Sequence, residues 1–220
     1  MNEELQDYLS HLIPETPGWA VELETQAKAD HVPIMDCLSM QLVMQLIRLH
    51  QPRRILEVGT AIGYSALRML EANPNASIVT IELDNARYQQ AVQNIKKLKK
   101  DSQIKVIHGD ALEIIPALAT AGEVFDCIFI DAAKGQYQRF FEAADPMLAS
   151  GGMLISDNVL FRGYVANPEL ENKRFKTVIQ RLRAYNKQLF NHSAYTSTII
   201  PIGDGVAISY KNNQEGVDQA

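Results

Sequence analysis

The twelve residues from Arg54 to Ser65, RILEVGTAIGYS, decide the fold. Ile55, Leu56 and Val58 form a short apolar run that ends on Gly59, and Gly63-Tyr64-Ser65 opens a stretch with helical spacing. A strand that turns through glycine straight into a helix is the first half of a βαβ unit. The same pattern continues downstream. Apolar runs at Ser77 to Leu83, Ile104 to Asp110, Phe125 to Asp131 and Gly152 to Asn158 alternate with predicted helices near 63–72, 85–100, 111–120 and 136–149. Strands apolar almost throughout are covered on both faces, and helical spacers of this length make right-handed parallel crossovers. After a further predicted helix, roughly 169–190, Tyr195 to Gly203 and Gly205 to Lys211 are separated by Asp204 alone. So short a connection predicts an antiparallel hairpin. Upstream, Leu5, Tyr8, Leu9, Leu12 and Ile13 precede Pro14 at helical spacing, and Leu38, Leu42, Val43, Leu46, Ile47 and Leu49 do so before Pro52. The expected fold is α/β and Rossmann-like: a seven-stranded, mostly parallel sheet with a C-terminal antiparallel hairpin and N-terminal helices. Residues 1–220 read as a single domain, with 1–50 as its helical N-terminal extension.

Composition narrows the function classes. With 46% hydrophobic and 21% charged residues, the chain is globular, not disordered. Lys plus Arg is 21 against 26 for Asp plus Glu, a net charge of -5. That balance excludes a protein that grips nucleic acid with its whole surface, and it leaves local patches open. The acid is concentrated at the start: residues 1–36 carry eight acids and one base, so the remainder holds 20 bases and 18 acids. Cys37 and Cys127 alone rule out a disulfide scaffold and a four-thiolate zinc site. The opening MNEELQDYLS has no apolar leader core, and no apolar run approaches the roughly 18–20 residues of a membrane span. A soluble, cytoplasmic protein is expected.

The glycine turn departs from a dinucleotide fingerprint, because Ala61 stands where the second glycine of G-x-G-x-x-G belongs. No pyrophosphate needs to rest there, and Glu57 beside the turn would repel one. Glu82 ends the second strand, where a carboxylate grips a ribose diol, and Asp110 ends the third. Acids and a glycine turn at successive strand ends suit a nucleoside with a cationic head and no phosphates, and S-adenosylmethionine has that chemistry. The bland alternatives are a tight βα connection at the glycines and helix capping by Glu82 and Asp110.

Asp131 closes the fourth run and Asp157-Asn158 the fifth. In an open parallel sheet these side chains meet at one mouth. Two carboxylates and an amide oxygen make a hard oxygen set suited to Mg²⁺, Mn²⁺ or Ca²⁺; the alternative is that both aspartates cap helices. Lys134 follows at the start of a predicted helix, where the helix dipole works against a positive charge, as lysine base catalysis requires.

Together these segments resemble the cation-dependent O-methyltransferases of the catechol and caffeoyl-CoA type. The resemblance runs over nearly the whole chain. It rests on LEVGTAIGYS (Leu56 to Ser65), IELD (Ile81 to Asp84), FIDAAK (Phe129 to Lys134), ISDNVLFRG (Ile155 to Gly163) and PIGDGVA (Pro201 to Ala207). It implies a class I methyltransferase fold and S-adenosylmethionine as donor. Glu57, Gly59, Gly63 and Ser65 match the methionine side of the donor site, Glu82 the ribose acid, and Asp110 with Ala111 the adenine wall. Met35 matches a further donor contact. Asp131, Asp157 and Asn158 match the ligands of Mg²⁺ (or Mn²⁺ or Ca²⁺), with Asp131 also on the donor side, and Lys134 matches the catalytic lysine. A homodimer is implied as well. Ala132 and Ala133 depart from the bulkier residues of the small-molecule branches.

The acceptor is read from charge. Lys173, Arg174, Lys176, Arg181, Arg183 and Lys187 fall in a segment without acids, and Lys96, Lys97, Lys99, Lys100 and Lys105 form a second cluster. A polyanionic substrate would need such a surface, whereas a solvated helix face would carry it idly. The pattern is similar to the family branch that methylates 5-hydroxyuridine in tRNA. That implies a tRNA anticodon loop as partner and 5-methoxyuridine at wobble position 34 as product. Small vicinal diphenols are the alternative acceptors. A Rossmann-type reductase and a non-catalytic RNA-binding protein fit less of the pattern.

Overall fold

The structure is a computed structural model, and it describes residues 3–167 and 174–213. Three helices come first: α1 (Glu3–His11), α2 (Gly18–Ala29) and α3 (Cys37–His50). Asp36 caps α3 by accepting the N–H groups of Leu38 and Ser39. The alternating region follows as β1 (Arg54–Val58), α4 (Tyr64–Ala72), β2 (Ser77–Glu82), α5 (Asn85–Lys97), β3 (Ile104–His108), α6 (Ala111–Thr120) and β4 (Phe125–Ile130). A 3₁₀ turn at Lys134–Gln136 leads into α7 (Tyr137–Ala144), and β5 (Leu148–Ser156) comes after a second 3₁₀ turn. Helix α8 (Lys176–Asn191) and the hairpin β6 (Tyr195–Ile200) and β7 (Val206–Lys211) complete the chain.

The seven strands run in the order β3-β2-β1-β4-β5-β7-β6. The first five are mutually parallel, and β7 pairs antiparallel with both β5 and β6. Period-two alternation sends each strand's side chains into two cores. Ile55, Ile78, Cys127 and Ile155 face α2 to α5 on one side, while Leu56, Val58, Ile128 and Leu154 face α6 to α8 on the other.

Several boundaries differ from the sequence reading: the helix expected over 85–100 ends at Lys97, and of the helix expected over roughly 169–190, residues 169–173 lie outside the described residues and 174–175 form a turn before α8. The predicted helix 136–149 stops at Ala144, because Pro146 has no N–H to continue it and a 3₁₀ turn takes over. Strand β5 starts at Leu148, before the expected Gly152; its pairing with β4 shifts register between Phe125 and Cys127, so the Ser150-Gly151-Gly152 segment is a bulge inside the strand. The hairpin connection is residues 201–205, five residues and not one, since Pro201 cannot donate to the ladder. Among the described residues no helix is long and apolar enough to cross a membrane.

Candidate active site

The sheet order reverses between β1 and β4, and a cleft of about 670 Å³ opens there at the strands' carboxyl ends. Its wall on the β1–β2 side includes Met35, Gly59, Ser65 and Glu82, continuing to Asp110 and Ala111 past β3. On the β4–β5 side stand Asp131, Lys134, Asp157 and Asn158. Glu57 and Gly63 lie behind the wall. Glu57 shares its sheet face with Ile55, so it points under α4, away from the mouth.

Each glycine of the turn has its own reason. Gly59 has φ +104°, and a Cβ there would lie 2.1 Å from the carbonyl oxygen of Asp131. Only glycine lets the end of β1 pass this close to the end of β4. Gly63 has φ +86° as the N-cap of α4, but a Cβ on it would meet Ile95 at an ordinary 3.5 Å.

Behind the turn, Ser65 and Thr80 each donate a hydroxyl hydrogen bond of 2.5 Å to Glu57, which is fully buried. Burial pushes the Glu57 carboxyl up to about 8; the two hydroxyl bonds oppose this, and the nearby charges of Asp131 and Glu82 add to it. Glu82 takes backbone N–H bonds from Ala61 at 2.8 Å and Asp84 at 2.9 Å, which fix its orientation at the cleft. Its carboxylate retains lone pairs to accept the hydroxyls of a diol. Asp110 does cap its helix, receiving the Leu112 N–H at 2.8 Å, while its side chain also borders the cleft.

The acidic pair is set by sheet hydrogen bonding. Asp131 donates its N–H to Val58 at 3.0 Å, and Asp157 donates to Ile130 at 3.1 Å, so the residues stand one strand apart on the same edge. Asp157 is buried; its Oδ1 accepts the Asn158 N–H at 2.7 Å, and its Oδ2 has no hydrogen-bond partner. Burial raises both carboxyls. The Asp131 charge adds to the effect at Asp157, and the Lys134 ammonium opposes it at both. Neither aspartate caps a helix: the 3₁₀ turn after Asp131 has Ala133 at its N-cap.

Among the described residues no group of three or more His, Cys, Asp and Glu side chains is placed to hold a metal ion. To hold a cation, the carboxylate pair would need the Asn158 amide and solvent as further ligands. A buried carboxylate oxygen without a donor, beside a second carboxylate, fits a hard divalent cation. Asn158 has φ +57°, and the backbone after it is tied down by the hairpin turn: Val159 donates to Gly205 at 3.0 Å and Leu160 to Asp204 at 2.8 Å.

This fold and cleft define a class I, Rossmann-like methyltransferase architecture. Residues 21–212 match the O-methyltransferase family model, and the chain belongs to that family. It is 31% identical to a catechol O-methyltransferase of Niastella koreensis over 95% of this chain and 99% of the relative. The Podospora anserina methyltransferase PaMTH1, solved with SAH bound, superposes with a TM-score of 0.85 at 26% identity, covering 97% of each chain. TomG of Streptomyces achromogenes, which is involved in tomaymycin synthesis and was solved with SAM, gives 0.84 at 26% identity over 97% of this chain and all of TomG.

The sequence reading did not single out Tyr137, Asp36, Pro33 or Arg87. Tyr137 is buried and donates to the Asp157 carbonyl at 2.9 Å, and the charge of Asp36 bears on Asp157. Pro33 and Arg87 line the cleft. The D-x-x-S spacing of Asp36 and Ser39 before an apolar helix was a visible cap signal, but nothing in it placed that cap beside the acidic pair. The basic segment is only partly free for a ligand. Arg181 donates to the Gly135 carbonyl at 3.0 Å, and Arg183 donates to Tyr164 and Val165. Lys173 lies outside the described residues. Lys96 to Lys100 sit at the far end of α5, opposite the cleft, where Lys97 pairs with Glu22 at 2.6 Å.

Proposed function

We propose that this protein transfers the methyl group of S-adenosylmethionine to the hydroxyl of 5-hydroxyuridine at tRNA position 34, giving 5-methoxyuridine, with Mg²⁺ or a related divalent cation. The observation that carries the chemistry is the cleft's juxtaposition of Asp131, Asp157 and Asn158 with Lys134 on one side and Glu82 on the other. Two neighbours matched over nearly their full length, PaMTH1 solved with SAH and TomG solved with SAM, support S-adenosylmethionine as donor. Asp131, Asp157 and Asn158 would hold the cation, which supplies a Lewis acid that lowers the pKa of an acceptor hydroxyl lying beside a second oxygen.

Glu82 binds the donor's ribose hydroxyls, and Asp110 with Ala111 borders its base. Ser65 and Asp131 present oxygens to its cationic amino acid head, with Glu57 holding the Ser65 hydroxyl from behind. Lys134 Nζ, in its neutral amine form, takes the hydroxyl proton; the oxyanion attacks the sulfonium methyl in line, the methyl–sulfur bond breaks and S-adenosylhomocysteine leaves. Because the donor is already activated, orientation by these walls supplies much of the acceleration. The 5-hydroxyuracil ring suits the cleft, since its hydroxyl neighbours the C4 carbonyl and an unstacked loop base can enter. Ala132 and Ala133 line the cleft with small side chains.

The test is incubation with labelled S-adenosylmethionine, Mg²⁺ and tRNA lacking the methoxy group, with and without EDTA. Label should enter the 5-hydroxyuridine of tRNA and should vanish on chelation. The second reading, a small vicinal-diphenol acceptor, is favoured by the Niastella relative's catechol activity. Transfer to catechols and never to RNA decides for it.

A further inference from the structure

Beside the cleft stands a group of aromatic rings that the catalytic reading leaves unused. Phe161 and Phe175 meet edge to face with centroids 5.4 Å apart, and Tyr164 lies 6.0 Å from Phe161 and 6.5 Å from Phe175. All three are only partly buried. Their place relative to the chemistry follows from the chain. Phe161 comes three residues after Asn158, so its Cα is within roughly 11 Å of that candidate ligand. From α8, Arg181 holds the carbonyl of Gly135, next to Lys134, and Arg183 holds the carbonyls of Tyr164 and Val165. One helix thus clamps the lysine loop and the aromatic loop side by side.

The chain on either side of the rings is basic, and Asp204, whose carboxylate accepts the Arg162 N–H at 3.2 Å, is an acid facing it from the hairpin turn. Residues 159–167 and 174–191 contain no acid, and Arg162, Arg174 and Lys176 lie next to the three rings in sequence. Glu169 and Glu171, between the two stretches, lie outside the described residues. The Arg174 guanidinium sits 5.5 Å over the Phe175 ring. Helix α8 begins at the cleft end of the sheet and runs away from it, so Arg174 and Lys176 are at the mouth and Lys187 about 16 Å further down. Arg181 and Arg183 serve the two loops. The cationic surface at the mouth is therefore small and interleaved with rings, which is how single-stranded nucleic acid is held: bases stack on aromatic faces while cations follow the phosphates.

We propose that Phe161, Tyr164 and Phe175 form a stacking platform for the nucleobases flanking the methylated one in a single-stranded RNA loop. Arg162, Arg174 and Lys176 would contact the adjoining phosphates. The proposal rests on the tRNA reading above and adds to it the part of the surface that separates an RNA loop from a small acceptor.

The test compares two acceptors of identical reactive edge: an anticodon stem-loop carrying 5-hydroxyuridine, and the free 5-hydroxyuridine nucleoside. Tyr164→Leu and Phe175→Leu keep apolar bulk and remove a ring. Each should lower kcat/KM on the stem-loop by about tenfold or more, the loss of one base–ring stack, and leave the nucleoside rate unchanged. Stem-loop affinity by fluorescence anisotropy should fall in step, and Phe175→Tyr should restore it. Equal losses on both acceptors would show that the rings only support the fold, and unchanged stem-loop kinetics would show that no base rests on them; either overturns the platform. Wild-type protein that methylates the nucleoside or catechol but no stem-loop overturns the tRNA reading itself, and the platform with it.

Discussion

Glu57→Gln should remove a pH-dependent weakness from the fold. Glu57 has no access to water, and its carboxyl is pushed from 4.5 to about 8 with burial as the largest cause. The native protein therefore keeps this proton over a range in which the unfolded chain has lost it. Stability falls with pH wherever the native state binds more protons than the unfolded one. The contribution is complete below the unfolded value near 4.5 and is lost as pH rises toward about 8, with no further change above. Each pH unit in that window costs about 1.4 kcal/mol, so moving from pH 5 to pH 7 removes about 2.7 kcal/mol. That is a large share of a typical 5–15 kcal/mol stability, by order of magnitude.

Glutamine has the same shape and does not titrate. Its oxygen accepts one of the two hydroxyl bonds, and its amide N–H donates to the other hydroxyl, since Ser65 and Thr80 can each turn to accept. Urea unfolding of both proteins at pH 5, 6, 7 and 8 gives the difference in free energy. Asp131 and Asp157 titrate in both proteins and cancel to first order. The variant should gain on the wild type by about 1.4 kcal/mol per pH unit across this range. A difference that stays flat within about 0.5 kcal/mol, the usual scatter of independent sites, means Glu57 is ionised throughout and refutes the argument.

The remaining predictions concern the same edge of the sheet. Asp157→Asn relieves the repulsion between the buried Asp157 and the neighbouring Asp131, so the metal-free protein should melt a few degrees higher, while methyl transfer drops by roughly 10²-fold or more; calorimetry and a labelled-donor assay read the two effects. Lys134→Ala should cost about 10² to 10⁴ in kcat with Mn²⁺ affinity by titration calorimetry undiminished, since the lost charge is a cation beside the carboxylates. Gly59→Ala forces a Cβ against the Asp131 carbonyl and should destabilise by roughly 2–4 kcal/mol, whereas Gly63→Ala meets only its positive φ and should cost about 1 kcal/mol in the same urea melts.

The strands and their parallel pairing were legible because βαβ units write themselves as apolar runs separated by helical spacers, and RILEVGTAIGYS carries that signal at its strongest; the order of the strands across the sheet was not. The failures were local and physical. Ser150-Gly151-Gly152 looks like a turn before a strand, yet a register shift against β4 lets the strand continue through it. Strand-end acids were legible as a set, but their facing was not. Glu57 belongs to the alternate face of β1 and goes under α4, whereas Asp131 lies beyond the last residue of β4 and reaches the cleft. The basic segment read as one surface in sequence. Packing splits it, because the loops beside Lys134 and Tyr164 need donors for their carbonyls and α8 supplies Arg181 and Arg183.

Three carboxyls at this edge, Glu57, Asp131 and Asp157, are raised for the same first reason, burial, and each of the first and last is raised further by Asp131. Such a cluster opposes folding, and well-packed neutral side chains would serve stability better. It is tolerable because the fixed partners go only part of the way: hydroxyls on Glu57, one backbone N–H on Asp157, and Lys134 as the nearby cation. What is missing is positive charge. A ligand that brings it gains the attraction of carboxylates already held in place, with little reorganisation left to oppose binding. The unsatisfied Asp157 oxygen beside Asp131 suits a compact divalent ion, and the Ser65–Glu82 wall suits a diffuse organic cation carrying a diol. The same edge therefore has room for both, adjacent but separate, with Lys134 in the same cleft.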